Sequence, residues 1–206
     1  MTVRSKIMAI KFQYNKTSLQ QLEKQLKIRV RTLPTIKSKE SALRLEVKRS
    51  KEKVEEFDER LENILQQSGD ILRLWGEFNP ELISVEDVKF STKKIAGVNT
   101  PVYEGATYKV KEFSVFNMPS WILDGIEYMK SLIDITLERE FWVRKMELLS
   151  KARKKTTQKV NLYEKVQIPG FEDAIRKIKR ALEDEENLSK AAQKIVKMRQ
   201  EKEVES

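Results

Sequence analysis

Lysine, arginine, aspartate and glutamate supply nearly all the reactive side chains of this 206-residue sequence, and histidine and cysteine are missing altogether. Without histidine the commonest general base and metal ligand are gone, together with any Ser-His or Cys-His nucleophile. Without cysteine there is no disulfide framework and no thiolate metal site. Carboxylates remain, as in Glu183-Asp-Glu-Glu186 and Glu55-Glu56. A general acid/base pair needs a cleft that shifts its pKa values. At helical spacing, with Arg180 four residues before Asp184, these carboxylates read as solvated faces with i,i+4 partners. No Gly-rich phosphate loop, dinucleotide fingerprint or nucleophile elbow occurs. The expectation is therefore no catalytic residue, no cofactor, no metal and no enzyme.

Cations are the stronger signal. Lys and Arg number 41 against 32 Asp and Glu, for a formal charge of +9. Residues 1–60 hold 16 cations against 8 anions, residues 61–120 hold 6 against 8, and residues 121–206 hold 19 against 16. Lys24, Lys27, Arg29 and Arg31, and the run Lys151-Ala-Arg-Lys-Lys155, are the densest clusters. Three readings stay open for them: a solvated helix face, contact with an acidic protein, or phosphate contacts on nucleic acid. No stacking aromatics are interleaved with them, which weakens the third. The aromatics Trp75, Trp121, Phe141 and Trp142 gather instead around the middle of the chain. They read as local core or as partner anchors.

The elements that must carry these groups are mostly helical. With 35 % charged, 39 % apolar and 8 % aromatic residues, the composition fits long solvated helices. With Leu19 at heptad position a, eleven of fourteen a and d positions from Leu19 to Ile64 are apolar, against five to six by chance. Arg29, Glu40 and Ser50 are the exceptions. Thr17 and Ser18 are the candidate caps, and the helix is expected to run to Leu74. Residues 76–120 switch toward period two. Val88–Ile95, a turn at Ala96–Asn99, Pro101–Glu104 and Thr107–Lys111 predict a β-hairpin, with room for a third short strand. Ser120 is the expected cap of a second helix that runs almost to the C-terminus. Its first part carries a stripe of Tyr128, Leu132, Ile135, Trp142, Met146 and Leu149. Its last part is heptad-like from Ile168 to Arg199.

The expected fold is mostly α: a long antiparallel two-helix coiled coil of N- and C-terminal helices, with a small β-hairpin insert at the turn end. The segments are 1–75, 76–120 and 121–206. Pro34 interrupts the first helix, and Pro169, followed by Gly170, the second. Antiparallel pairing would put them at one level and make a hinge there, or they are two independent kinks. No apolar run is long enough to span a membrane, and residues 1–11 lack a secretory pattern, so a cytosolic protein is expected.

Three segments carry a family resemblance. They are Tyr14-Asn-Lys-Thr-Ser-Leu-Gln-Gln-Leu-Glu-Lys-Gln-Leu26, Ile95-Ala-Gly-Val-Asn-Thr-Pro-Val102, and Lys154-Lys-Thr-Thr-Gln-Lys-Val-Asn-Leu-Tyr-Glu-Lys-Val-Gln-Ile-Pro-Gly-Phe171. Over nearly its whole length the chain resembles the D subunits of V-type and A-type rotary ATPases and ATP synthases, the central rotor shaft. Lys159 and Leu162 stand where the family usually has Arg and Ala, and Tyr14-Asn-Lys16 where many members have Pro-Thr-Arg. The resemblance implies a non-catalytic shaft whose two termini sit inside a head of A- and B-type catalytic and regulatory subunits. It implies a small F-type stalk protein as partner and a funnel-shaped subunit linking to the membrane ring. Neither nucleic acid nor direct membrane insertion is implied; the chain would be cytoplasmic and peripheral to the membrane. Lys11, Lys16, Lys24, Lys27, Arg29, Lys194 and Lys197 would face the head through exposed, exchangeable charge. Trp75, Trp121 and Trp142 would serve partners at the insert end. The rival reading is a coiled-coil adaptor or nucleic-acid tether. The ion site, for H⁺ or Na⁺, would lie on other subunits, and the resemblance covers hydrolysis and synthesis alike.

Overall fold

A helix needs an acceptor for the free N–H groups of its first turn. In the computed structural model, which describes residues 10–67, 78–113 and 118–204, Asn15 supplies it for the first helix. Helix α1 spans Lys16–Gln67. Ser18 N–H donates to Asn15 Oδ1 at 2.7 Å, and Leu19 N–H to the Asn15 carbonyl at 3.1 Å. Asn15 is thus the N-cap, not Thr17 or Ser18, because its short side chain reaches the third turn donor. The expected end at Leu74 lies outside the described residues. Every one of the fourteen seam positions from Leu19 to Ile64 is buried or half-buried, including Arg29, Glu40 and Ser50.

A short 3₁₀ turn at Pro80–Leu82, capped by Asn79, leads into the hairpin. Strand β1 is Ile83–Ile95 and β2 is Val98–Val110, paired antiparallel. The two-residue turn has Ala96 at φ 48° and Gly97 at φ 81°, the left-handed pair that matches strand twist. Two bulges interrupt the register, one between Val85 and Asp87 and one between Lys89 and Phe90. Gly105, at φ 142°, sits at the second. The strands therefore run longer than their alternating stretches, and among the described residues there is no third.

Helix α2 is Ile122–Leu162; a π-helical turn at Tyr163–Gln167 joins it to α3, Ile168–Val204. The first α2 bond runs from Gly125 N–H to the Trp121 carbonyl at 2.9 Å. This makes Trp121 the cap rather than Ser120.

The chain divides into two units, Met1–Ser38 with Thr156–Ser206, and Lys39–Lys155. The first has a core of Leu22, Phe171, Ala174, Ile175 and Ile178. Leu19, Leu26 and Leu182 pack around it, and so do Ile10 and Phe12 from the segment before α1. Antiparallel order follows from Glu23–Lys179 at 2.9 Å and Lys37–Glu164 at 2.7 Å. In the second unit α1 and α2 also run antiparallel, with Asp58 paired to Arg139 and Tyr128 Oη donating to the Ile64 carbonyl at 3.0 Å. Leu43, Ser50 and Leu149 are fully buried there. Ser50 suits a seam position because its Oγ is satisfied by the Glu46 carbonyl at 2.8 Å. A satellite core of Phe78, Leu82, Ile122 and Ile126 closes the hairpin base.

Candidate functional site

The clusters singled out for chemistry lie on exposed helix faces. Glu56 is held below its ordinary pKa by the Lys53 ammonium, bonded at 2.5 Å, with Arg60 nearby. Glu186 is lowered by its bond to Lys190. A catalytic acid needs the opposite shift. Among the described residues no group of three or more His, Cys, Asp or Glu is placed to hold a metal.

The cations divide into two kinds. Lys11, Lys16, Lys24, Lys27, Lys194 and Lys197 are exposed. Lys16 borders an open groove with Lys179, Leu182, Glu183, Glu185, Glu186 and Ser189. Arg29 is different, because heptad position d turns it into the seam. Its Nε donates to Gln167 Oε1 at 2.7 Å and its Nη1 to the Gln25 carbonyl at 3.2 Å. The guanidinium lies 4.5 Å from the Phe171 ring centre and 5.9 Å from that of Tyr163. These bonds and ring contacts let a charge replace an apolar seam residue.

Lys37–Glu164 and Arg29–Gln167 lie on either side of Pro34 along α1. The level of Pro34 is thus that of the π-helical turn, just before Pro169. There Ile168 N–H donates to the Tyr163 carbonyl, one residue further back than in an α-helix. Proline lacks the N–H and crowds the carbonyl four residues earlier, here Lys165. A widened turn relieves that crowding. Near Pro34, Thr32 Oγ1 donates back to the Ile28 carbonyl at 2.7 Å.

The two tryptophans among the described residues do not gather. Trp75 lies outside the described residues. Trp121 packs at the hairpin base on Phe78, ring centres 6.4 Å apart, and against Gly125. Trp142 lies twenty-one residues further along α2, with Lys145 Nζ 4.0 Å from its ring centre. Burial, with Lys93 close by, lowers the Lys145 ammonium from its ordinary pKa. Trp142 and Lys145 border both a cavity of about 80 Å³ against Pro101, Val102 and Tyr103 and an open groove beside Glu46, Arg49, Glu52, Lys53 and Glu56.

One arrangement escaped the sequence. Tyr103 Oη and Tyr108 Oη both donate to Asp134 Oδ1, at 2.5 and 2.7 Å. This clamps β2 to α2. Burial and the Asp134 carboxylate push the Tyr103 phenol up to about 12, and Tyr108 further in the same direction. Tyr103 and Tyr108 are five apart, so plain alternation puts them on opposite faces. The register passes over Glu104, and that extra residue restores a common face. Glycine at position 105 was the available signal.

Toward the far end of α3 the seam stops. Ile168 to Leu182 contain the last buried positions, and from Glu183 to Glu201 every residue is exposed. Leu188 is 72 % exposed, and Ile195, Val196 and Met198 about half. Lys16, where α1 begins, borders the Leu182–Ser189 groove, so α1 offers no helical turn further along. The heptad positions Ser189, Ala192, Val196 and Arg199 therefore have no partner helix among the described residues.

A family model for the D subunit of ATP synthase matches residues 18–198. The D subunit of the V-type ATP synthase of Borreliella burgdorferi is 28 % identical over 189 residues, covering 91 % of this chain and 94 % of the relative. Proteins of the same description from Chlamydia abortus (26 % identical, 74 % and 76 % covered) and Chlamydia pneumoniae (24 %, 86 % and 87 %) are also similar.

Proposed function

We propose, from the premise that this chain belongs to the family of ATP synthase D subunits, that it is the central rotor shaft of a V/A-type ATPase or ATP synthase. The family is that of a stalk component of a rotary ATPase, and membership makes the chain part of a multi-subunit complex. In the proposed mechanism the shaft couples ATP hydrolysis or synthesis in the head to ion translocation through the membrane ring. It catalyses nothing itself. An asymmetric helical surface, turned inside the head, places the catalytic interfaces in different states.

One observation carries this reading: the uncovered part of α3, with Leu188, Ile195, Val196 and Met198 in solvent. Apolar side chains in such number on one helix call for a cover. The head subunits of A and B type supply it in this reading. Lys11, Lys16, Lys24, Lys27, Lys194 and Lys197 are exposed and give screened, exchangeable attraction that does not arrest rotation. Arg29 would act there only in part, since its guanidinium is held in the seam. Pro34, Pro169 and Gly170 form a compliant joint, supported by the π-helical turn at their level. Trp121 and Trp142, with Trp75, serve the insert end. The remaining partners are the small F-type stalk protein and the funnel-shaped subunit, on the cytoplasmic side of the membrane.

The test is purification of the tagged chain from native membranes. Catalytic subunits and a membrane ring should accompany it, while the pure chain should hydrolyse no ATP. Copurification of nucleic acid in their place, or ATPase activity in the pure chain, contradicts the proposal.

A further inference from the structure

Most cation-rich stretches of the described helices neutralise themselves. Lys48–Glu52, Arg49–Glu46, Lys51–Glu55, Lys53–Glu56, Arg144–Glu147 and Lys190–Glu186 are all ion pairs within one helix. Three stretches do not. Residues 24–39 carry six cations and no acid, and residues 187–200 carry four and no acid. Lys24, Lys27, Lys194 and Lys197 in them are already assigned to the head, which leaves the stretch on α2. Between Glu147 and Glu164 the chain has five cations and no acid. Glu147, the acid within reach of Lys151, is engaged with Arg144 at 3.1 Å. Lys151, Lys154 and Lys155 form no ion pair among the described residues, and all three are exposed. They stand at i, i+3 and i+4, on one face of α2. Like charges so spaced destabilise a helix. The opposite face is fixed by Leu149, fully buried. The lysines therefore present a rigid, unneutralised strip.

We propose that Lys151, Lys154 and Lys155 dock an acidic helical face of another subunit of the same complex. Charge complementarity names the occupant: a strip of three cations within about one turn matches carboxylates at i, i+3 and i+4 on a facing helix. Duplex nucleic acid is the poorer fit. Sequence-independent affinity grows with the number of phosphates neutralised, and the strip has only three cations and no stacking ring.

The proposal rests on the stalk reading for its partner. Two variants of the full chain, Lys151→Glu/Lys154→Glu/Lys155→Glu and the triple Lys→Gln, are assembled with the other subunits of the complex. Native mass spectrometry then follows which subunits stay bound as salt is raised. Circular dichroism verifies that each variant keeps its helix; the glutamine variant decides if the glutamate variant does not. The expected result is selective loss of one acidic subunit, about tenfold at physiological salt for the reversal and less for the neutral variant. An unchanged set of subunits in both variants overturns the docking surface and leaves the stalk reading standing. A wild-type chain that assembles with nothing overturns both. Binding of a 20-base-pair DNA duplex, or of anionic phospholipid vesicles, that is abolished by the reversal at physiological salt overturns it in favour of that ligand.

Discussion

Replacing Asp134 by alanine removes the acceptor for two phenols at once, and the structure sets the size of the effect. Hydrogen bonds to a charged partner contribute about 1.5–3 kcal/mol each. Tyr103, Tyr108 and Asp134 are only half-buried, so the lower end applies, or roughly 3 kcal/mol for the pair. In a chain of this length that corresponds to a fall of about 6–12 °C in Tm. The more specific assay is tyrosinate absorbance as pH rises. The chain has five tyrosines. Tyr103 should ionise near 12 instead of 10, and Tyr108 later still, because burial and the carboxylate both oppose the phenolate. In Asp134→Ala the carboxylate's share is lost while burial, the largest cause, and the neighbouring groups remain, so both should move part of the way back toward 10. A folded-state pKa raised above the unfolded value gives stability that is complete below about pH 10 and is lost as the pH climbs through 12. Alkaline unfolding of the wild type should therefore steepen in that window, and the variant should lose part of the slope. If all five wild-type tyrosines titrate together near 10, the clamp does not form and the reasoning is refuted.

Three further outcomes follow from the packing. Leu149→Ala, at a fully buried seam position, should cost about 2–5 kcal/mol by thermal unfolding, while Leu188→Ala should change the isolated chain by less than about 0.5 kcal/mol. Equal effects would contradict the placement of the two leucines. Arg29→Lys keeps the charge but loses the Gln167 bond and the ring contact, and should cost about 1–2 kcal/mol; a neutral result would mean that only the charge counts. Pro169→Ala restores a donor to the Lys165 carbonyl, and amide exchange across residues 163–169 should slow about tenfold, whereas unchanged exchange would remove proline as the cause of the π-helical turn.

The coiled-coil seam of α1 was legible because a narrow stripe at period 3.5 depends on spacing alone. It even located Arg29, Glu40 and Ser50, whose side chains gave no apolar signal. The stripe expected along α2 was less informative for a physical reason. That helix meets α1 through Tyr128 and Arg139 and the hairpin through Asp134 and Phe141, so its contact residues occupy two faces instead of one stripe. Local chemistry decided the caps and bulges. Asn15 rather than Thr17 or Ser18 closes the first turn, and Gly105 shifts β2 by one residue. The heptad pattern past Leu182 misled, because a repeat in one helix does not reveal where its partner starts. Of the cations expected to face a partner, Lys11, Lys16, Lys24, Lys27, Lys194 and Lys197 are exposed and Arg29 is half-buried. The heptad register set Arg29 at a seam position, but spacing alone could not show the Gln167 bond and the Phe171 ring that hold its guanidinium there, because both come from the returning helical segment.

The measurement that bears most directly on the rotor-shaft account uses the absence of native cysteine. A single Leu188→Cys in the full complex can carry a photoactivated linker attached through a reducible disulfide. After illumination the chain should be joined to a head subunit, ATP hydrolysis should stop, and reduction should restore it. A complex in which the chain is covalently fixed to the head, yet ATP turnover and ion transport continue at the original rate, would contradict the claim that this chain must turn.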